Sequence, residues 1–178
     1  MFPEFLTDRA RVEGMSQDDR IARAIALLRE HEPPEGYYLA FSGGKDSCVI
    51  KKLAQMAGVK FDAWYNNTTI DPPELVRFIK REHADVQWNT ARDSSGKSRG
   101  NMLYRIETAP KVPPTRRGRW CCAEYKEGGG KGRVKVMGVR AEESPGRAGR
   151  WKEVARDLNQ DVVIWAIRKT VWKVTDER

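Results

Sequence analysis

The sequence predicts an α/β protein: a Rossmann-like, three-layer α/β/α fold around a mainly parallel sheet of about five strands. Two observations carry that expectation. Short apolar segments alternate along the chain with segments whose apolar residues fall at i, i+3, i+4 and i+7, and strands alternating with helices form a parallel sheet covered on both faces. In addition, the apolar run Tyr37-Tyr38-Leu39-Ala40-Phe41 passes directly into Ser42-Gly43-Gly44-Lys45-Asp46-Ser47 and then into a helical pattern. In sheets of this kind ligands bind at the carboxyl ends of the strands.

Each element has its own signal. Ser16 to His31 reads as a helix: Ser16 and Asp19 have capping-box spacing, and Ile21, Ala24, Ile25 and Leu28 form its apolar stripe. Pro33-Pro34-Glu35-Gly36 ends it. Strand 37–41 follows, then a helix from about Ser47 to Ala57 that Gly58 closes. Val59 to Tyr65 reads as a second strand. Asp71 is expected to cap the next helix, with Pro72 at its first position, Glu74 at its third, and Leu75, Phe78 and Ile79 on its buried side. Asp85 to Asn89 reads as a short third strand. Residues 92–119 are polar, basic and rich in Gly and Pro, with a short helix around Met102, Leu103 and Ile106. A segment of that length with little pattern usually serves function. Trp120 to Glu127 reads as a helix, Val134 to Val139 and Asp161 to Ile167 as strands, and Trp151, Val154, Ala155 and Leu158 share a helical face. The loops after 41, 65 and 139 should converge on one crevice.

Composition narrows the class. The 178 residues suffice for one domain with a real core, and 39% hydrophobic with 33% charged residues is a globular balance. No apolar run approaches the ~20 residues of a membrane helix, and Met1-Phe2-Pro3-Glu4-Phe5 lacks a signal-peptide layout. The expectation is a cytoplasmic protein. A net charge of +8 suits anionic partners: nucleotides, and nucleic acid as a candidate. Three cysteines, Cys48, Cys121 and Cys122, do not make a disulfide framework. His31 and His83 read as surface or helix-end residues rather than metal ligands.

The hexapeptide 42–47 has the chemistry of a phosphate cradle. Its glycines admit close backbone approach, the helix start offers N–H groups with partial positive charge, Lys45 adds a full charge, and Ser42 and Ser47 offer hydroxyls. Asn67 and Thr68 follow the second strand, where polar groups meet a nucleoside. Arg116, Arg117 and Arg119 crowd beside Trp120-Cys121-Cys122, a concentration of charge that points to an anion. Thiols beside arginines are candidates for lowered pKa. In Gly138-Val139-Arg140-Ala141-Glu142-Glu143-Ser144, Arg140 offers a planar fork for phosphate or sulfate, and Glu143 suits orienting it or accepting a ribose hydroxyl. Gly128-Gly129-Gly130-Lys131-Gly132 lacks the spacing of a phosphate loop and reads as a flexible turn.

Ser-Gly-Gly-Lys-Asp-Ser resembles the pyrophosphate-binding (PP) loop of the adenine-nucleotide alpha-hydrolase-like superfamily, which includes ATP pyrophosphatases, tRNA thiolation enzymes and sulfonucleotide reductases. With the Arg119-Trp120-Cys121-Cys122 segment and residues 138–144 in the same order, the chain is similar to the PAPS reductase family over about residues 34–147. Its phage- and prophage-type members, and relatives acting in DNA phosphorothioation, are most alike. The resemblance implies a single adenine-nucleotide-binding domain over 1–178, with 1–33 as a helical extension and 148–178 as a shortened C-terminal region. It implies that Ser42, Gly43, Gly44, Lys45, Asp46 and Ser47 hold phosphates and that Arg140 sits near the anionic end of the ligand, and the residue chemistry above adds Asn67, Thr68, Arg119, Glu143 and Ser144 as expected nucleotide contacts. Lys45 and Asp46 would be catalytic, Asp46 would help hold Mg²⁺, and Cys121 and Cys122 would be redox candidates.

The chain departs from that family in two respects. Cluster-bearing members add a later Cys-x-x-Cys to reach the four thiolates of an iron–sulfur cluster, and reductases use a further cysteine toward the sulfonate. No cysteine follows Cys122. Three functions stay open from sequence: ATP cleavage between the α and β phosphates with adenylation and sulfur transfer; reduction of PAPS or APS with an external thiol, a thiol-donor protein or an oligomeric partner; and a non-catalytic nucleotide- or nucleic-acid-binding module.

Overall fold

The computed structural model describes residues 15–93, 95–108, 112–115, 118–126 and 128–138, and the backbone of the strands at 154–156 and 162–164. In chain order the elements are α1 (Gln17–Glu30), β1 (Tyr37–Phe41), α2 (Lys45–Ala57), β2 (Phe61–Asn67), α3 (Pro73–Glu82), β3 (Gln87–Thr90), α4 (Met102–Thr108), α5 (Trp120–Tyr125), β4 (Lys135–Val136), β5 (Val154–Arg156) and β6 (Val162–Ile164). The strands form one sheet of six in the order β3-β2-β1-β4-β6-β5. Five are mutually parallel, and β5 runs antiparallel against β6. The expected α/β class is found, with one strand more than the sequence suggested.

Local chemistry sets the first elements. The Ser16 hydroxyl accepts from the Asp19 N–H at 3.1 Å, and the Asp19 carboxylate accepts from the Ser16 N–H at 3.3 Å, which closes the capping box of α1. Ala24 and Leu28 are the fully buried residues of its stripe. The Tyr37 hydroxyl, inside the core, donates to the Leu28 carbonyl at 2.7 Å and ties α1 to the start of β1. β1 is central: it pairs β2 from Tyr37↔Phe61 to Phe41↔Tyr65 and pairs β4 at Tyr38↔Lys135 and Leu39↔Val136. A strand flanked on both sides must be apolar on both faces, and four of its five residues are buried. Tyr37, Leu39 and Phe41 pack with Ile50, Leu53, Ala54 and Ala57 of α2 and with Ile79 of α3.

Two sequence expectations are corrected. Asp71 does not cap α3. Pro72 is the N-cap and Pro73 opens the helix, because a proline at the first position loses no hydrogen bond. Asp71 turns instead to Tyr65 and Thr68. The proposed helical face at 151–158 is also replaced, since Val154–Arg156 is a strand paired with Val162–Ile164. Residues 128–132 form the expected turn. Its backbone lies on the Tyr38 ring so closely that a Cβ at Gly130 would stand 2.5 Å from the ring carbon Cγ.

Candidate functional site

The chain moves outward from β1 in one direction through β2 and β3, then returns to place β4 on the opposite side of β1. The reversal between β1 and β4 is the topological switch point, where diverging loops leave a crevice. Residues 42–47 leave β1 at that point. From the other wall the Gly138 backbone presses on the loop: a Cβ there would stand 3.1 Å from the Asp46 carbonyl carbon. The expected convergence of the loops after β1 and β4 is therefore observed as far as Gly138. Arg140, Glu143 and Ser144 lie outside the described residues.

The hexapeptide is built as a turn into a helix start. Gly43 adopts φ +73°. Gly44 is the N-cap of α2 and supplies no side-chain bond to the helix. A glycine at the N-cap leaves a helix start open to close approach by an anion. The Cys48 N–H makes the first helical bond, to the Gly44 carbonyl at 3.1 Å. Lys45 is exposed, whereas Ser47 is buried. The Ser47 hydroxyl donates to the Gly44 carbonyl at 2.8 Å, and the Ser42 hydroxyl donates to Ser47 Oγ at 3.3 Å. Ser47 therefore shapes the loop from below, while Ser42 and Lys45 face outward.

The loop after β2 forms the second wall. The Asp71 carboxylate accepts from the Tyr65 hydroxyl at 2.6 Å, from the Thr68 N–H at 3.2 Å and from the Thr68 hydroxyl. Burial pushes the Asp71 carboxyl up, but the hydrogen bonds from Thr68 and Tyr65 outweigh it and hold it below the ordinary value. The Asn67 side-chain carbonyl accepts from the Thr69 N–H at 2.9 Å, and Thr69 holds φ +69°. Asn67 and Thr68, expected at the nucleoside, shape this wall through these bonds.

Two bonds bring the 92–126 segment to the same end of the sheet. The Met102 N–H donates to Thr69 Oγ1 at 2.8 Å, and the Asn66 amide donates to the Lys126 carbonyl at 2.9 Å. Cys122 is one helical turn before Lys126, and its carbonyl accepts the Lys126 N–H at 2.8 Å. Exposed Arg119 donates from Nη2 to Cys122 Sγ at 3.4 Å. The expected lowering of both thiols is corrected at Cys121: burial and the adjacent Cys122 push it up. No group of three or more His, Cys, Asp or Glu placed to hold a metal ion occurs among the described residues.

Sequence reasoning missed a cluster beneath the loop. Lys51 of α2 is buried and donates to Asp85 Oδ1 at 2.6 Å. It also meets His83 Nδ1 at 3.2 Å, and the other ring nitrogen of His83 lies 3.6 Å from Cys48 Sγ. A signal was present: Lys51 interrupts the stripe of Ile50, Leu53, Ala54 and Ala57, so a cation was bound for the interior.

An open α/β sheet with a glycine-capped, lysine-bearing helix start at its switch point is an arrangement in which anions are commonly bound. The chain matches no known protein-family profile. Among solved structures it is similar to Candida glabrata FMN adenylyltransferase, determined in complex with FMN and the ATP analogue AMPCPP. The TM-score is 0.51 at 13% identity, over 85% of this chain and 52% of that enzyme. The chain thus spans about half the length of the enzyme it matches, and the two share a fold.

Proposed function

We propose that this chain binds ATP with its phosphates on residues 42–47 and transfers the adenylyl group to an acceptor. The acceptor nucleophile would bond to the α-phosphorus, the bond from that phosphorus to the bridging oxygen of pyrophosphate would break, and pyrophosphate would leave with the electron pair. The observation that carries this reading is the glycine-capped, lysine-bearing start of α2 at the switch point. Its N–H groups and Lys45 offset charge that builds on the departing phosphates. The shared fold with an adenylyltransferase supports the same chemistry.

Asp46 would give Mg²⁺ one carboxylate. Mg²⁺ is commonly held by one or two carboxylates, phosphate oxygens and water, which suits a site with no acidic cage among its described residues. When bound there, the metal would supply positive charge against the phosphates. Arg119 would add positive charge from the β2 side, and Arg140, with Glu143 and Ser144, would bind the far end of the nucleotide. Cys121 and Cys122 would suit sulfur transfer to an adenylated acceptor, with a thiol-donor protein as partner.

Calorimetry with ATP, PAPS and APS in the presence of Mg²⁺ tests the reading. ATP is expected to bind, and Lys45→Ala to weaken it about ten-fold or more, roughly 1.4 kcal/mol. Because Lys45 is exposed, thermal stability should not change. Equal affinity in the variant would remove the loop from the site. Sulfite release from PAPS with a thiol present, without pyrophosphate release from ATP, would replace adenylyl transfer by reduction.

A further inference from the structure

Directly behind the anion loop, four polar side chains from two elements form a chain: Cys48, His83, Lys51 and Asp85. Cys48 belongs to the first turn of α2, and its Sγ lies 3.9 Å from the Gly43 carbonyl, inside the loop itself. His83 ends α3 and stands with its ring against Phe41 (centroids 4.7 Å apart) and Phe78 (5.3 Å). Phe41 is the residue immediately before Ser42, so the imidazole touches both the strand that enters the loop and the helix that leaves it.

The hydrogen positions follow from the partners. A lysine ammonium has only donors. Facing Lys51 Nζ at 3.2 Å, His83 Nδ1 must be the acceptor, so the ring hydrogen sits on Nε2 and points at Cys48 Sγ, 3.6 Å away. This is the reverse of a thiol activated by a histidine base: here the sulfur receives the hydrogen. Burial pushes the Cys48 thiol up against the opposing charge of Lys51.

We propose that His83 is a positioning residue: as a neutral imidazole it braces the anion loop in its binding shape, and protonating it releases the loop. A proton on Nδ1 would set an imidazolium against the Lys51 ammonium, which is held in place by Asp85 at 2.6 Å and by the Phe41 ring at 5.5 Å. The groups facing His83 are Lys51 and Cys48 from α2, and Glu82 and Asp85 from α3 and the turn after it; Phe41 and Phe78 carry no charge. Burial and Lys51 resist protonation, and they outweigh Asp85 and Glu82, so the charge arrives below the ordinary histidine range. The proposal rests on the anion-loop reading only for its effect on ATP.

The deciding measurement uses the ligand-free protein. Amide NMR signals of Gly43, Gly44 and Cys48 are followed from about pH 7.5 to about pH 5, beside the His83 ring signal. The loop amides are expected to move together with the ring titration. In His83→Gln, whose amide can accept from Lys51 and donate to Cys48 without titrating, they should stay still. In Asp85→Asn, a change at an exposed side chain, the midpoint should shift to lower pH. Stationary loop amides while His83 titrates, or the same movement in the Gln variant, would overturn the proposal. Mg²⁺–ATP affinity should fall about three-fold or more further in wild type than in His83→Gln over the same range, as expected when the competent fraction shrinks. An equal fall in both would overturn the release of the loop. Absence of any ATP binding would refute the nucleotide reading alone, since the amide titration still decides the brace.

Discussion

Gly43→Ala is expected to destabilise the protein by about 2–4 kcal/mol and to reduce ATP affinity well beyond ten-fold. Two independent penalties combine. Gly43 has φ +73°, where a side chain costs about 1–2 kcal/mol. An added Cβ would also stand 2.6 Å from Leu75 Cδ1 and 2.9 Å from Ile79 Cδ1, ends of packed side chains that must turn aside, at about 1–2 kcal/mol. The adjacent glycine supplies the control. Gly44 has no positive φ, and a Cβ there meets only Ser42 Oγ at 3.5 Å. Gly44→Ala should therefore cost under about 1 kcal/mol. Thermal melts of the two variants separate the cases: equal loss in both would show that the left-handed turn and its packing on α3 do not set the loop.

Asp71→Ala is expected to cost about 1–3 kcal/mol, because it leaves the buried Tyr65 hydroxyl without its acceptor. It also removes the acceptor of both Thr68 donors and so loosens the wall after β2. The acid dependence gives a second readout. The Asp71 carboxyl is held below its ordinary value of 3.8 in the folded state. Its contribution is complete above that value and is lost as pH falls through the lowered one. Denaturant unfolding of wild type should thus lose stability on acidification in this range, and Asp71→Ala should show a shallower loss. An unchanged acid slope would show that Asp71 is not the group responsible.

How much was legible in the sequence depended on whether the partner was near in sequence. Ser16 and Asp19 cap α1 within one turn, and 42–47 carries its glycines contiguously between β1 and α2, so the fold class and the turn into α2 were readable from local pattern. Asp71 misled because Asp-Pro-Pro-Glu matches a helix start, whereas its partner Tyr65 is a buried hydroxyl that no capping pattern reveals. Residues 154–156 carry a helix-compatible stripe too short to outweigh pairing with β6. His83 looked like a helix end, which it is, but its meaning comes from Lys51 and Cys48, 32 and 35 residues away. Of the expected site, residues 42–47 are assembled at the switch point and Asn67 and Thr68 at its second wall. The Arg119–Cys122 segment is drawn to the same end of the sheet by Asn66.

The position of β4 beside β1 also orders assembly. β1, β2 and β3 pair in chain sequence, each with its neighbour, while β1 meets β4 across nearly a hundred residues; the Arg133 guanidinium donates to the Gly36 carbonyl at a separation of 97. Contacts that close long loops form late and slow folding. Until β4 arrives, β1 offers an open hydrogen-bonding edge rich in apolar side chains, the kind of edge that recruits other chains. The wall that completes the crevice is then the same piece of chain that ends this exposure, so the finished crevice and resistance to aggregation should appear together during refolding.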